Sequence, residues 1–214
     1  MNLPVTSRPR RHAARRDARK LVADFRRTSI LDAARAVFSK HGYDATSMDL
    51  IASAAGVAKG TLYLYFPAKA AIYSAAVTQG LQELAGQTAA VLQSGRDLRE
   101  VLRRFHMTRH HYFETHADFF RIYSAESGNL GGGATHIRDE YLRLHRRQTQ
   151  LLELLLEAAM RSKQIRTIDA RAVAAATLDV SHGLVVRHVR DRSQRAEADA
   201  ETLIDLLWRG LEIR

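Results

Sequence analysis

The chain of 214 residues contains no cysteine. Disulfides, thiolate nucleophiles and cysteine-held metals are therefore excluded, and a reducing compartment is compatible with that absence. Proline is nearly as scarce. It occurs at 4, 9 and 67, and the 147 residues after Pro67 have none. Long β domains carry more such punctuation, whereas helix interiors forbid it. No run approaches the roughly 18 apolar residues of a membrane span. The N-terminal arginines have no apolar block behind them, as a secretory signal would. A cytoplasmic chain without a membrane partner is the expectation. Hydrophobic residues still make up 46% of the sequence, enough for a real core and against disorder over most of its length.

Acidic charge is also short where it would matter. Net charge is +10. Residues 1–27 hold nine Lys/Arg, Arg26 and Arg27 among them, against Asp17 and Asp24, while the remainder is close to neutral. A basic arm beside a near-neutral body points to a polyanion partner. A solvated extension has the same composition.

Apolar residues recur at helical spacing. Ile30, Leu31, Ala34, Val37 and Phe38 make one face, with Gly42 as its expected stop. Leu98, Val101, Leu102 and Phe105 make another, with Asp97 placed to cap it. Ile137, Tyr141, Leu144, Gln148, Leu151 and Leu155 run at steps of three and four, and further stripes lie at about 170–190 and 197–212. The predicted fold is all-α. Its strong interruption is "SGNLGGGATH" (127–136), read as a loop because three glycines destabilise a helix interior. No Lys-Ser/Thr follows them, so they do not make a nucleotide loop.

Residues 46–66, "TSMDLIASAAGVAKGTLYLYF", carry the functional signal. "TLYLYF" alternates like a strand. A helix-turn-helix needs a small residue where its helices touch, a glycine-like turn four residues on, and apolar clamps. Counting from Met48, Ala52 is fifth and Gly56 ninth, with Ile51, Ala55, Val57, Leu62 and Tyr65 at the clamp positions. Leu62 and Phe66 then share the inner face of a helix, and Lys59 and Tyr63 the outer one. The second helix of such a unit enters the major groove by its N-terminal residues, here Ala58, Lys59, Gly60 and Thr61. Gly60 suits either close backbone approach to DNA or a tight turn.

The order G-V-x-K-G-T-L-Y-x-Y-F-x-x-K, with "ILDAARAVFSKHGYDATSM" before it, resembles the N-terminal domain of the tetracycline-repressor family of bacterial regulators. The resemblance runs from Ile30 to about Val77. Beside the basic arm at 1–27 that the charge marks, it implies a three-helix DNA-binding domain at 28–75 and a larger helical domain for effector binding and dimerisation at 76–214. It implies that Thr46 and Ser47 meet a phosphate at a helix start, that Lys59 and Thr61 face bases or phosphates, that Tyr63 and Tyr65 donate to phosphates, and that Lys69 anchors another phosphate. Tyr65 also occupies a clamp position. Asp49 stands where some relatives carry a base-reading donor. Arginines of the 8–27 segment, Arg26 and Arg27 included, would reach an adjacent groove as such arms do.

For the second domain, the stripe of Leu203, Leu207, Trp208 and Leu211 suits a dimer interface or an internal core. His106, His110, Phe113, Tyr123, Asp179 and His182 are the candidate effector-pocket residues, and Asp179 and His182 equally suit a mutual pair. His106 and His110 have a spacing that can hold zinc. No HExxH pattern or third ligand accompanies them, so no metal and no cofactor is expected. Without a thiol, a nucleophile pattern or a metal set, no enzymatic activity is expected either. The reading is a homodimeric repressor released from a palindromic operator by a small molecule. An architectural or division-site DNA binder of the same fold, without an effector, is the rival.

Overall fold

The computed structural model describes residues 8–95, 97–119, 122, 135–190 and 196–212. No strand occurs among them. The helices are α1 (Arg8–Ala45), α2 (Met48–Ala54), α3 (Lys59–Tyr65), α4 (Lys69–Leu92), α5 (Leu98–Thr115), α6 (Thr135–Arg161), α7 (Ala170–Arg190) and α8 (Ala196–Leu211). They form two compact units, Met1–Ala76 and Val77–Arg214.

In the first unit the basic segment is helical from Arg8 and continuous with the helix that follows. Alanine, arginine and lysine are strong helix formers, and Pro9 falls in the first turn, where its missing N–H removes no helical bond. None of residues 15–27 is buried, and Leu21, Val22 and Phe25 stand exposed. Burial begins at Ile30 and continues through Leu31, Ala34 and Phe38. Gly42 breaks the helical path at φ 76 and ψ 172, a backbone region essentially reserved for glycine. Ile51, Ala52, Leu62, Phe66 and Ile72 complete this core.

The second unit packs α5 against α6, α7 and α8. Leu98, Val101, Leu102 and Phe105 of α5 meet Leu152 and Leu156 of α6, Ala174 and Leu178 of α7, and Ile204 and Leu211 of α8. Asp97 caps α5, its carboxylate accepting from Arg99 N at 3.0 Å. The C-terminal stripe serves this core. Leu203 and Leu211 are buried within the single chain, Leu207 and Trp208 pack against the same cluster, and the Arg99 guanidinium lies 5.9 Å from the centre of the Trp208 ring. The reason is the register: α8 lays this face on α5, so its exposed apolar side chain is Leu206, with Val180 exposed on α7. The glycine-rich stretch read as a loop lies outside the described residues up to 134, and Thr135 already opens α6.

Candidate nucleic-acid interface and effector cavity

The turn between α2 and α3 is built by local chemistry. Ser47 caps α2, its hydroxyl accepting from Leu50 N at 3.2 Å. At the other end Gly56 N–H donates to Ser53 O at 3.2 Å and Val57 N–H to Ala52 O at 3.0 Å, the paired bonds of a Schellman cap. That cap requires a left-handed residue, and Gly56 has φ 62. Ile51 and Leu62, both fully buried, and Ala52 at 4% exposure lock the two helices together.

With Leu62 and Phe66 turned inward, α3 presents Lys59, Gly60 and Tyr63 to solvent, with Thr61 and Tyr65 half-buried. The Lys59 ammonium donates to Asp49 Oδ2 at 2.8 Å, and both groups are exposed. That hydrogen bond, then the Asp49 charge, raises the Lys59 pKa above its ordinary value. Asp49 and Lys59 thus form one neutral pair on the outer face. Leu64, 85% exposed, and Leu50 stand on this unit's surface too. Apolar side chains of this kind suit thymine methyl groups in a major groove.

Two residues expected at phosphates are occupied otherwise. Thr46 is buried, and its hydroxyl donates to Gly42 O at 2.6 Å, pinning the α1–α2 turn. The Lys69 ammonium donates to Tyr43 O at 2.7 Å and sits 4.3 Å above the Tyr43 ring. Carbonyls at the end of α1 lack helical partners and attract such a cation. Arg27 stacks 4.5 Å from the centre of the Phe66 ring, while Arg26 is exposed.

In the second unit, residues of α4, α5, α6 and α7 line a half-open pocket of about 310 Å³. Leu81, Leu84, Leu144 and Leu178 give it apolar walls, and Arg109, Tyr141, His145, Gln148, Asp179 and His182 bring polar groups to it. Arg109 Nη1 donates to Gln148 Oε1 at 3.4 Å, and Gln148 Nε2 donates to Thr88 Oγ1 at 2.6 Å. Asp179 Oδ1 lies 3.5 Å from His145 Nε2, and its charge also reaches the His182 ring. Burial first, and the Arg109 charge second, push the His182 pKa down to about 4, so the ring is neutral near pH 7. A second cavity of about 290 Å³ shares Ala85, Leu144 and Gln148 with the first and carries Arg143 and Arg147.

Of the six candidate pocket residues, Asp179 and His182 line the first cavity. His106 is buried and bonded to Ser181 Oγ at 3.1 Å; His110 and Phe113 are buried and do not line it. Tyr123 lies outside the described residues.

Residues 30–76 match the family model described as bacterial regulatory proteins, tetR family. The match falls within the N-terminal unit. Similarity extends well beyond that unit. An uncharacterized HTH-type transcriptional regulator of Bacillus subtilis, YhgD, is 26% identical over 85% of this chain and 92% of its own. The HTH-type nicotine-responsive transcriptional repressor HdnoR of Paenarthrobacter nicotinovorans is 26% identical over 84% of this chain and 92% of its own. The tetR-family regulator PfmR of Thermus thermophilus superposes with a TM-score of 0.69 at 28% identity, covering 86% of this chain and 99% of that one.

The tetR-type helix-turn-helix is thus set in a chain of ordinary length for its relatives. The residues that sequence reasoning left out of its sites are instructive. Leu64 falls on no inner position once Leu62 and Phe66 are placed, which marks it as a surface leucine. Gln148 was visible as a polar residue in an otherwise apolar stripe of α6. Arg109 had no such mark, because α5 carries basic residues all round. Among the described residues no helix is long and apolar enough to cross a membrane.

Proposed function

We propose that the chain is a homodimeric, sequence-specific transcriptional repressor of the cytoplasm that leaves its operator when a small organic molecule enters the cavity of the second unit. It acts by binding, without catalysis. The observation that carries this reading is the cavity itself. An architectural DNA binder needs no 310 Å³ pocket lined by four leucines with Arg109, Gln148 and His182 beside them. A mainly apolar molecule with an acceptor facing Arg109 suits that lining. HdnoR, of similar length, is named a nicotine-responsive repressor, which supports a ligand-controlled mode.

On DNA, Lys59, Thr61 and Tyr63 of α3 enter the major groove, with Ser47 and Tyr65 beside it. Two copies would place two recognition helices on successive groove faces of a palindrome. The effector favours a dimer shape in which that spacing no longer fits, a coupling between two separate sites. Leu81, Leu84 and Ala85 of α4 line the pocket wall.

Selection on random duplexes, then a compound screen against the selected complex, tests this. The expected result is a palindromic site, and a compound that releases wild-type protein but not Ala85→Trp, whose side chain fills the cavity. Equal affinity for selected and random DNA would sink the regulator reading. Equal release of both proteins would sink the cavity as the effector site.

A further inference from the structure

Outside both sites, three side chains converge between α5 and α7. His110 and Glu114 lie one turn apart on α5, and His188 comes from the last turn of α7. The two imidazole rings are 4.1 Å apart, centre to centre. Between them, Glu114 Oε2 is 3.5 Å from His110 Nδ1, and Glu114 Oε1 is 3.4 Å from His188 Nε2. One ligand-type atom of each residue lies within 4.8 Å of the other two.

Two features set this cluster apart from an ordinary ion-pair triad. The first is spacing. Charge-assisted hydrogen bonds run at about 2.7–2.9 Å. Ligand atoms on a tetrahedral ion with bonds of about 2.0–2.1 Å lie about 3.3–3.4 Å apart. The observed separations, each to a different Glu114 oxygen, are longer than such hydrogen bonds and close to the tetrahedral spacing. The second is unmet hydrogen bonding. His110 Nε2 and His188 Nδ1 are buried with no hydrogen-bond partner among the described residues. Buried polar atoms of this kind are rare in folded proteins and ask for an explanation. In a neutral ligating ring the nitrogen near the carboxylate would hold the ion and the second, buried nitrogen would carry the proton. The orphaned atoms thus mark polar nitrogens without a partner among the described residues and are not themselves the ligand atoms.

We propose that His110, Glu114 and His188 form a binding site for a divalent transition-metal ion of the zinc type, with two imidazole nitrogens and one carboxylate oxygen filling three of four positions. Imidazole ligands suit zinc and its neighbours, whereas magnesium and calcium favour oxygen ligands throughout. Three protein ligands leave one position open to solvent or to a further ligand. The i,i+4 pair on the helix is His110 with Glu114, not the His106–His110 pair that spacing suggested, because His106 turns to Ser181. The long-range ligand, His188, was invisible in the spacing of α5. This site stands independently of the DNA-binding and effector reading.

The test uses the full-length protein, stripped with a chelator and titrated with zinc chloride by calorimetry. His110 lies in the core, so the informative variants are Glu114→Gln, at a half-exposed position, and His188→Gln, with circular dichroism to establish that both fold. The expected result is one tight equivalent of zinc per chain, weakened at least about tenfold in each variant, and an intense tetrahedral visible spectrum when cobalt replaces zinc. The absence of a stoichiometric equivalent in the wild type would overturn the proposal. So would unchanged zinc affinity in both variants, which would assign the ion to other histidines of the ten in the chain. Weak octahedral cobalt bands would overturn the coordination geometry.

Discussion

The Asp49–Lys59 pair makes a quantitative prediction about DNA binding. In the free protein Lys59 donates to Asp49 at 2.8 Å, and both side chains are more than half exposed. The outer face of α3 therefore offers DNA a lysine whose charge is cancelled by its neighbour. Asp49→Asn keeps the shape and removes the cancellation. Each lysine then released to a phosphate adds about 0.9 to the slope of log affinity against log salt, or about 1.8 for a dimer with two such faces. Over a rise from about 50 to 200 mM salt, a slope steeper by 1.8 corresponds to about twelvefold more loss of affinity than in the wild type. The assay is fluorescence anisotropy on a random duplex, where base contacts contribute nothing. The expected outcome is tighter binding at low salt, the steeper slope, and its return on adding Lys59→Ala. An unchanged slope would show that the pair is not at the DNA. Weaker binding of Asp49→Asn to the selected operator alone would show that Asp49 accepts from a base, as an acid at that position can from a cytosine amine.

Two further outcomes concern stability. His106 has a pKa lowered to about 4, by burial first and by Arg109 and His110 next, so the fold holds it neutral while the unfolded chain protonates near 6.5. Because the unfolded state then binds more protons, this neutrality contributes fully above about pH 6.5 and is lost as pH falls toward 4, by about 3 kcal/mol in all. Urea unfolding at stepped pH should show a shallower decline in His106→Gln, and an identical decline would refute the assignment. Gly56→Ala should cost about 1–2 kcal/mol, since φ 62 is strained for alanine while open space surrounds the added Cβ. An unchanged urea midpoint would remove the backbone argument.

The helix-turn-helix was legible because its constraints are local. A small residue at 52, a glycine at 56 and clamps at 51 and 62 act within twenty residues, and their periodicity survives in the sequence. Lys69 was not legible. Its partner is the carbonyl of Tyr43, 26 residues away, and nothing in a lysine's neighbourhood says whether it will meet a phosphate or a helix end. The stripe at Leu203, Leu207, Trp208 and Leu211 announced burial but not the partner; Leu203 and Leu211 are buried within the chain, while Leu207 and Trp208 stay partly exposed beside the same cluster. The cavity was half legible. Asp179 and His182 stood out as polar residues in an apolar pattern, whereas Arg109 became meaningful once three other helices closed around it.

Gln148 stands as a shared partition between two spaces of about 310 and 290 Å³. It is held by Thr88 on one side and by Arg109 on the other. A single shortening at this position would enlarge the space that both pockets share while leaving α3 and its groove-facing residues untouched. The spectrum of molecules sensed could thus change in evolution by one substitution, with the regulated genes staying the same.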